Sequence, residues 1–451
     1  MFDIMHKGLN KALELCDQVE LFGERSDILS IDLEREEVKK MKHVKSTGIG
    51  VRVVISKKVG FSYTTALEHV KVDECIAHAI KQARSSEEDP NFAGLPVSPK
   101  RGYKKPAKKF DSRILDLLGG GSEDAIGYCK EMLTGMKEVE ADEAVCRPTE
   151  GSFAAAHDET YILNSEGIET SDAGTYVSAG LLVVATEEGG EEIPGSEGKV
   201  SRMLSDIDFA WIGREAVKMA VDSIGGTRLQ TKELPVVLSP RAVQSLLDYT
   251  LIPQLSAEIV QRKQSPYHDK KGADIASDII SIVDDGTMPL GVNSRQMDGE
   301  GVPSGATVLV ENGVLKNFLY DSYTAAKDGV ESTGNAIRGF ESLPAPGSTN
   351  FIINGSSKAD KDAMLGDIRE GLFINDVIGA HTASRTSGDF SVVAQNSAGI
   401  KAGVLFPVKQ VMVTGNMQVL LKHVELVGTD TRQMYNVVSP SIKVSKLQVV
   451  S

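Results

Sequence analysis

Eight histidines, four cysteines and 63 acidic residues are the material this chain has for metal or acid–base chemistry. His6, His43, His69, His78, His157, His268, His381 and His423 are never closer than nine positions, so no helix carries a local metal-gripping pair. His157 beside Asp158 and Glu159, and His268 beside Asp269, lie in polar stretches that read as surface turns. Asp284-Asp285-Gly286 and Asp298-Gly299-Glu300-Gly301 gather four carboxylates but lack the alternating oxygen spacing of a calcium loop, and read as acidic turns. A phosphate loop and a G-x-S-x-G nucleophile elbow are both absent. The serines around Gly388 and Asp389 sit in a glycine-rich turn with His381 as the nearest histidine, where capping the backbone is the expected role. The densest polar cluster is Ser332–Gly339, STGNAIRG. Its Gly334, Asn335 and Arg338 could offer N–H groups and a guanidinium to a carboxylate or a peptide, but bracing neighbouring strands is the preferred reading.

These residues need elements to position them. Ile4, Met5, Leu9, Ala12, Leu13 and Cys16 have helical spacing; residues 28 to 40 alternate loosely, and GIGVRVVISKKVGFSYT from Gly48 reads as two strands joined at Lys57-Lys58. A second helix spans roughly 70–84. Four prolines between 85 and 110 mark a linker whose lysine-rich stretch from Lys100 reads as solvated. Beyond it come a helix from Ser122, a β-meander from Phe153 to Thr186, an acidic EEGGEE loop, and a helix from Trp211 to Ile224. After residue 231 strands dominate. The pattern predicts an α+β protein: a helix-sheet-helix region over 1–95, a linker over 96–110, a central helix and meander region over 111–230, and a mostly antiparallel β domain over 231–451.

One stretch joins strand to helix in a place where sites are common. VVLSPRAVQSLLDYTLIP, Val236 to Pro253, gives a short β-branched strand, Ser239 as N-cap, Pro240 at the first helical position, and a helix expected to stop at Pro253. Val243, Leu246, Leu247 and Leu251 face a core. The polar remainder holds no histidine, cysteine or glutamate, so the helix is unarmed.

The 451 residues allow about two to three domains at roughly 150 residues each. A net charge of −14 without a long basic tract argues against nucleic acid as a partner. Cys16, Cys75, Cys129 and Cys146 form no C-x-x-C pair and read as reduced thiols. With neither a signal-peptide core nor a membrane-length apolar run, a cytoplasmic protein is expected.

Taken in order, the segments resemble the TldD/PmbA family over some 400 residues. The resemblance rests on GIGVRVV with VGFSYT, ILNSEGIET, LPVVLSP, IVDDGTMPLGVNSRQMDGEG, LVENGVLKNFLYDSYTAA, STGNAIRG, SGDFSV, and NSAGIKAGVLFPVKQVMVTGN. It implies a pair of related subunits forming a cytoplasmic metalloprotease for unfolded or flexible peptides. One branch carries H-E-x-x-x-H on the helix after the LPVVLSP strand, with a cysteine near the C-terminus as third zinc ligand. In this sequence Asp248, Tyr249 and Pro253 stand roughly at those three positions, and no cysteine follows Cys146. The SPSIKVSKLQVVS ending also matches the PmbA/TldE-like branch.

The resemblance therefore implies a chain with no catalytic or metal residue of its own, a zinc-bearing partner (or a second copy in its place), peptide substrates, and STGNAIRG and SGDFSV as signature or peptide-binding loops. Two alternatives stay open. One is a stand-alone hydrolase using His381, Asp389 and Ser391. The other is a regulatory protein-binding module, in keeping with the older description of the family as modulators of DNA gyrase.

Overall fold

The computed structural model describes residues 1–100, 102–139, 144–186 and 190–450, so part of the acidic EEGGEE stretch, residues 187–189, lies outside it. Helix α1 (Phe2–Leu13) buries Met5, Leu9 and Ala12, and α2 (His69–Ser85) buries Val72, Ile76, Ala79 and Ala83. Both cover one face of three antiparallel strands, β1 (Gln18–Glu34), β2 (Glu37–Ile55) and β3 (Lys58–Thr64). Residues 28 to 40 thus hold the β1–β2 turn rather than one strand. The β2–β3 turn puts Ser56 and Lys57 at positive φ, as tight hairpins require.

After α3 (Ser112–Leu118), the motif repeats. Helix α4 (Ser122–Lys137), strands β4 (Val145–Asn164), β5 (Glu169–Thr186) and β6 (Glu192–Ser201), and helix α5 (Phe209–Val221) copy the helix–three-strand–helix order. The halves join where β1 pairs antiparallel with β4, giving one six-stranded sheet ordered β3-β2-β1-β4-β5-β6. The regions on either side of the linker therefore share a sheet. Gly60 of β3 lies against the backbone of α2 at Ala79 and Ala83, and Gly195 of β6 meets α5 at Ala216 and Ala220 in the same way. At either site a Cβ would strike helix backbone.

All five helices pack against one face of this sheet, burying Leu29, Ile31, Phe153 and Val177 among others. The other face turns to the C-terminal half. There β7 (Lys232–Leu238) lies inside a ten-stranded sheet, parallel to Glu370–Ile374 and antiparallel to Ile442–Val450. A second, six-stranded sheet centres on β8 (Ile280–Asp285) and Phe351–Gly355. One core of aliphatic residues from both sheets receives the apolar stripe of α6 (Pro240–Tyr249). Most pairings are antiparallel, so the class is α+β. No helix among the described residues is long and apolar enough to cross a membrane.

Lys100, Lys104, Lys105 and Lys108 of the linker are exposed, while two of its residues are held by the rest of the chain. Lys109 is largely buried against Asp172, and Tyr103 donates to the Gly301 carbonyl at 2.9 Å. Its lysine count hides these contacts because their partners lie far along the chain.

Candidate functional site

Strand alternation places Asp32, Ser152, Gly180 and Gly198 in one cross-strand row on the helix-free face of the sheet, with Lys40 of β2 opposite Asp32. Short side chains in that row leave room above the backbone. An open groove of about 1410 Å³ lies over it, walled on the C-terminal side by α6 and by Gln433 and Met434 of a short strand with Tyr435 in the turn after it. Arg241, Gln244 and Ser245, spaced i, i+3, i+4, line it from α6, while Val243, Leu246 and Leu247 of the same helix are buried in the core. Tyr435 stands 62% exposed at the rim with φ 53°.

Two ion clusters fix the seam. Buried Glu197 of β6 accepts from Arg241 and, at 3.1 and 3.2 Å, from Arg432, whose guanidinium lies over the Trp211 ring. Burial pushes the Glu197 carboxyl up, but the two arginines outweigh it and hold the group below its ordinary range. The second cluster has no exposed member. Glu20 and Arg52 of the sheet meet Glu300 and Arg338 of the C-terminal half, with Arg52 2.9 Å from Glu20 and 3.0 Å from Glu300. Arg338 binds Glu20 and stacks on Phe22, its guanidinium carbon 4.7 Å from the ring centroid.

Helix α6 begins as its sequence dictates. Ser239 Oγ accepts from the backbone N–H groups of Arg241 and Ala242, and Pro240 is the first helical residue. It ends earlier than expected, at Tyr249, and Pro253 sits in a separate short turn, Leu251–Gln254. Without an N–H, proline cannot bond the residue 249 carbonyl, so the break falls one turn before it, at Thr250, whose hydroxyl bonds back to Leu246 at 2.6 Å.

Asp248 stands one turn beyond Gln244, outside the groove lining. Gln244 donates to one of its oxygens and Asn436, at 3.0 Å, to the other. Burial pushes its carboxyl up, with these two amides working the other way. Tyr249 turns its ring edge-on to His381, 6.4 Å between centroids. One amide-capped carboxylate, an aromatic ring and a proline do not fit zinc. Among the described residues no three His, Cys, Asp or Glu side chains are grouped to hold a metal.

The signature loops lie apart from each other. Gly334 has φ 71°, and buried Asn335 donates to Asp284 at 2.7 Å and to the Gly347 carbonyl at 3.1 Å. With Arg338 in the seam, both side chains are engaged by the chain's own groups. Gly388, at φ 79°, packs near Gln254 in the turn after α6, and Asp389 accepts from Ser387 at 2.6 Å and Asn416 at 2.8 Å. No hydrogen bond among the described residues joins His381, Asp389 and Ser391, and all three are exposed. His268 lies in a turn, but His157 belongs to β4, where its ring meets Phe110. Asp284, Asp298 and Glu300, expected on acidic turns, are buried: Asp298 accepts three backbone N–H groups, and Glu300 holds Arg52 and Ser322. Local sequence could not reveal this, because Arg52 is 248 positions from Glu300. Arg241, Glu197 and Arg432 were missed for the same reason.

Residues 19–86, 121–224 and 231–451 match, in that order, domain 1, the central domain and the C-terminal domain of the PmbA/TldA metallopeptidases. The chain belongs to the TldD/PmbA family. Among its TldD/PmbA relatives, an uncharacterized protein of Methanocaldococcus jannaschii is 35% identical over 94% of each chain. The metalloprotease TldD homolog of Buchnera aphidicola is 25% identical, covering 89% of this chain and 83% of its own. The crystal structure of TldE from Thermococcus kodakarensis superposes with a TM-score of 0.88 at 25% identity, covering 99% of this chain and all of that one. Equal identity to a TldD and a TldE relative does not separate the branches.

Proposed function

We propose that this TldD/PmbA chain is the PmbA/TldE-like, metal-free subunit of a two-subunit cytoplasmic peptidase, its groove holding an extended stretch of an unfolded or flexible peptide while a TldD-like partner supplies zinc. The observation that carries this reading is the set Asp248 and Tyr249 at the end of α6 and Pro253 in the turn that follows it. The helix flanks the groove as a catalytic helix would, yet none of the three offers an imidazole. The floor supports the peptide part: a row of serine and glycine leaves space and short hydroxyls above the sheet for an extended chain, with Arg241 and Lys40 among the charged residues along its sides.

The test is to express the chain alone, a zinc-bearing H-E-x-x-x-H relative alone, and both together, and to measure zinc content and cleavage of an unfolded peptide. The reading expects zinc in the relative, none bound stoichiometrically by this chain, and cleavage that depends on the pair. Stoichiometric zinc in this chain alone, with chelator-sensitive cleavage, would overturn it.

A further inference from the structure

The first half of β2, Glu37–Ser46, is exposed at every residue although it belongs to a six-stranded sheet. β1 holds its inner side, but β3 pairs only from Ile49 onward, so the outer backbone edge of 37–48 meets no strand. The repeat within the sheet shows what such an edge takes when it is closed. The matching stretch of β5, Glu169–Tyr176, also lies beyond the reach of β6, whose pairing starts at Val177. There the chain's own segments cover it: Thr175 N–H donates to the Lys109 carbonyl at 3.1 Å, and Gln296 donates to the Ser171 carbonyl. No described segment does this for β2.

Long open edges are normally shortened, bent or covered, because they add strands from other chains. This one carries Val38, Met41 and Val44, 40 to 50% exposed, and four lysines within seven positions. Lys39 pairs with Glu34 and Lys45 with Asp27, whereas Lys40, which feels the charge of Asp32 across the strand pair, and Lys42, its neighbour on the same face, form no ion pair among the described residues. That pattern works against two of the registers a second copy could take. A two-fold register centred on Met41 sets Lys40 against Lys42, and one centred on Lys42 sets Lys39 against Lys45. The uncovered backbone and the unpaired ammonium groups are complementary to one occupant.

We infer that Glu37–Ser46 is a docking edge for an acidic β-strand of a second protein, added through main-chain hydrogen bonds with carboxylates over Lys40 and Lys42. That this second protein is the zinc-bearing subunit rests on the function proposed above; the chemistry of the edge does not.

The probe is a blocked ten-residue peptide alternating glutamate and valine, with its lysine–valine counterpart as control, followed by amide hydrogen exchange on the full chain. Slowed exchange across 37–47 with the acidic peptide alone, weakened by salt and reduced roughly tenfold or more in affinity in Lys40→Glu/Lys42→Glu but not in Lys40→Arg/Lys42→Arg, is the expected result. Unchanged thermal unfolding of the variants guards against misfolding. No slowing, or equal slowing by both peptides, overturns the inference. With the zinc-bearing relative, a pair that persists undiminished in the glutamate variant overturns the assignment of that subunit to this edge. Failure of the wild-type chain to pair while the acidic peptide still protects the edge sinks the two-subunit reading and leaves the edge standing.

Discussion

Asp298 shows what burial does to a single carboxylate. It is 1% exposed, and loss of water followed by the nearby charge of Glu300 pushes its pKa up to about 7, against Arg295 and its backbone donors. An acid whose folded pKa lies above its unfolded value holds its proton more tightly when folded. Its contribution is therefore complete below about pH 4, declines as pH rises through the window up to about 7, and is absent above. Denaturant midpoints measured from pH 4 to 8 are expected to carry this downward component in the wild type and to lose it in Asp298→Asn. A slope unchanged by the substitution would assign the titration elsewhere. The sequence announced the carboxylate but not its burial, because the groups that enclose it come from residues 295 to 336.

Helix and strand ends carry the sharpest local tests. Gly60 and Gly195 let β3 and β6 lie directly on α2 and α5, so Gly60→Val and Gly195→Val should each destabilise the fold by at least the ~1–3 kcal/mol typical of overpacking, read by urea unfolding. Nearly equal costs would reflect the repeated architecture; a neutral result at either would mean its helix can shift. Helix α6 invites a different test. Two side chains five positions apart point about 140° apart on an ideal helix. The break at Thr250 lifts that restriction here. The triple substitution Asp248→His, Tyr249→Glu, Pro253→His still lacks a third protein ligand, so it is expected to bind zinc weakly and substoichiometrically by metal analysis after dialysis. A tightly held equivalent would show that the surrounding residues complete the site. The cap at Ser239 and the apolar stripe were legible in sequence because both are local; the helix end was misplaced because proline acts on the turn before it.

At the scale of the whole molecule, a buried ion cluster joins the six-stranded sheet to the C-terminal half. Two arginines, Arg52 and Arg338, balance two glutamates, Glu20 and Glu300, all but hidden from water. Removing one cation leaves two buried anions sharing the other. Arg338→Ala is therefore expected to cost about 3–5 kcal/mol, more than a conventional surface ion pair could explain, measured by equilibrium denaturation. A cost below ~1 kcal/mol would mean that water reaches the cluster.

The sequence by itself determined the α+β class, the strand-to-helix joint at Ser239-Pro240, and the family. Periodicity, caps and residue chemistry are local, and the ordered motifs add up along the chain. Tertiary structure alone decided that two helix–sheet–helix halves share one sheet, that Asn335 and Arg338 brace the interior, that α6 borders a groove, and that β2 keeps an open edge. Each of these depends on contacts between residues tens to hundreds of positions apart, and neighbours in sequence carry no record of them.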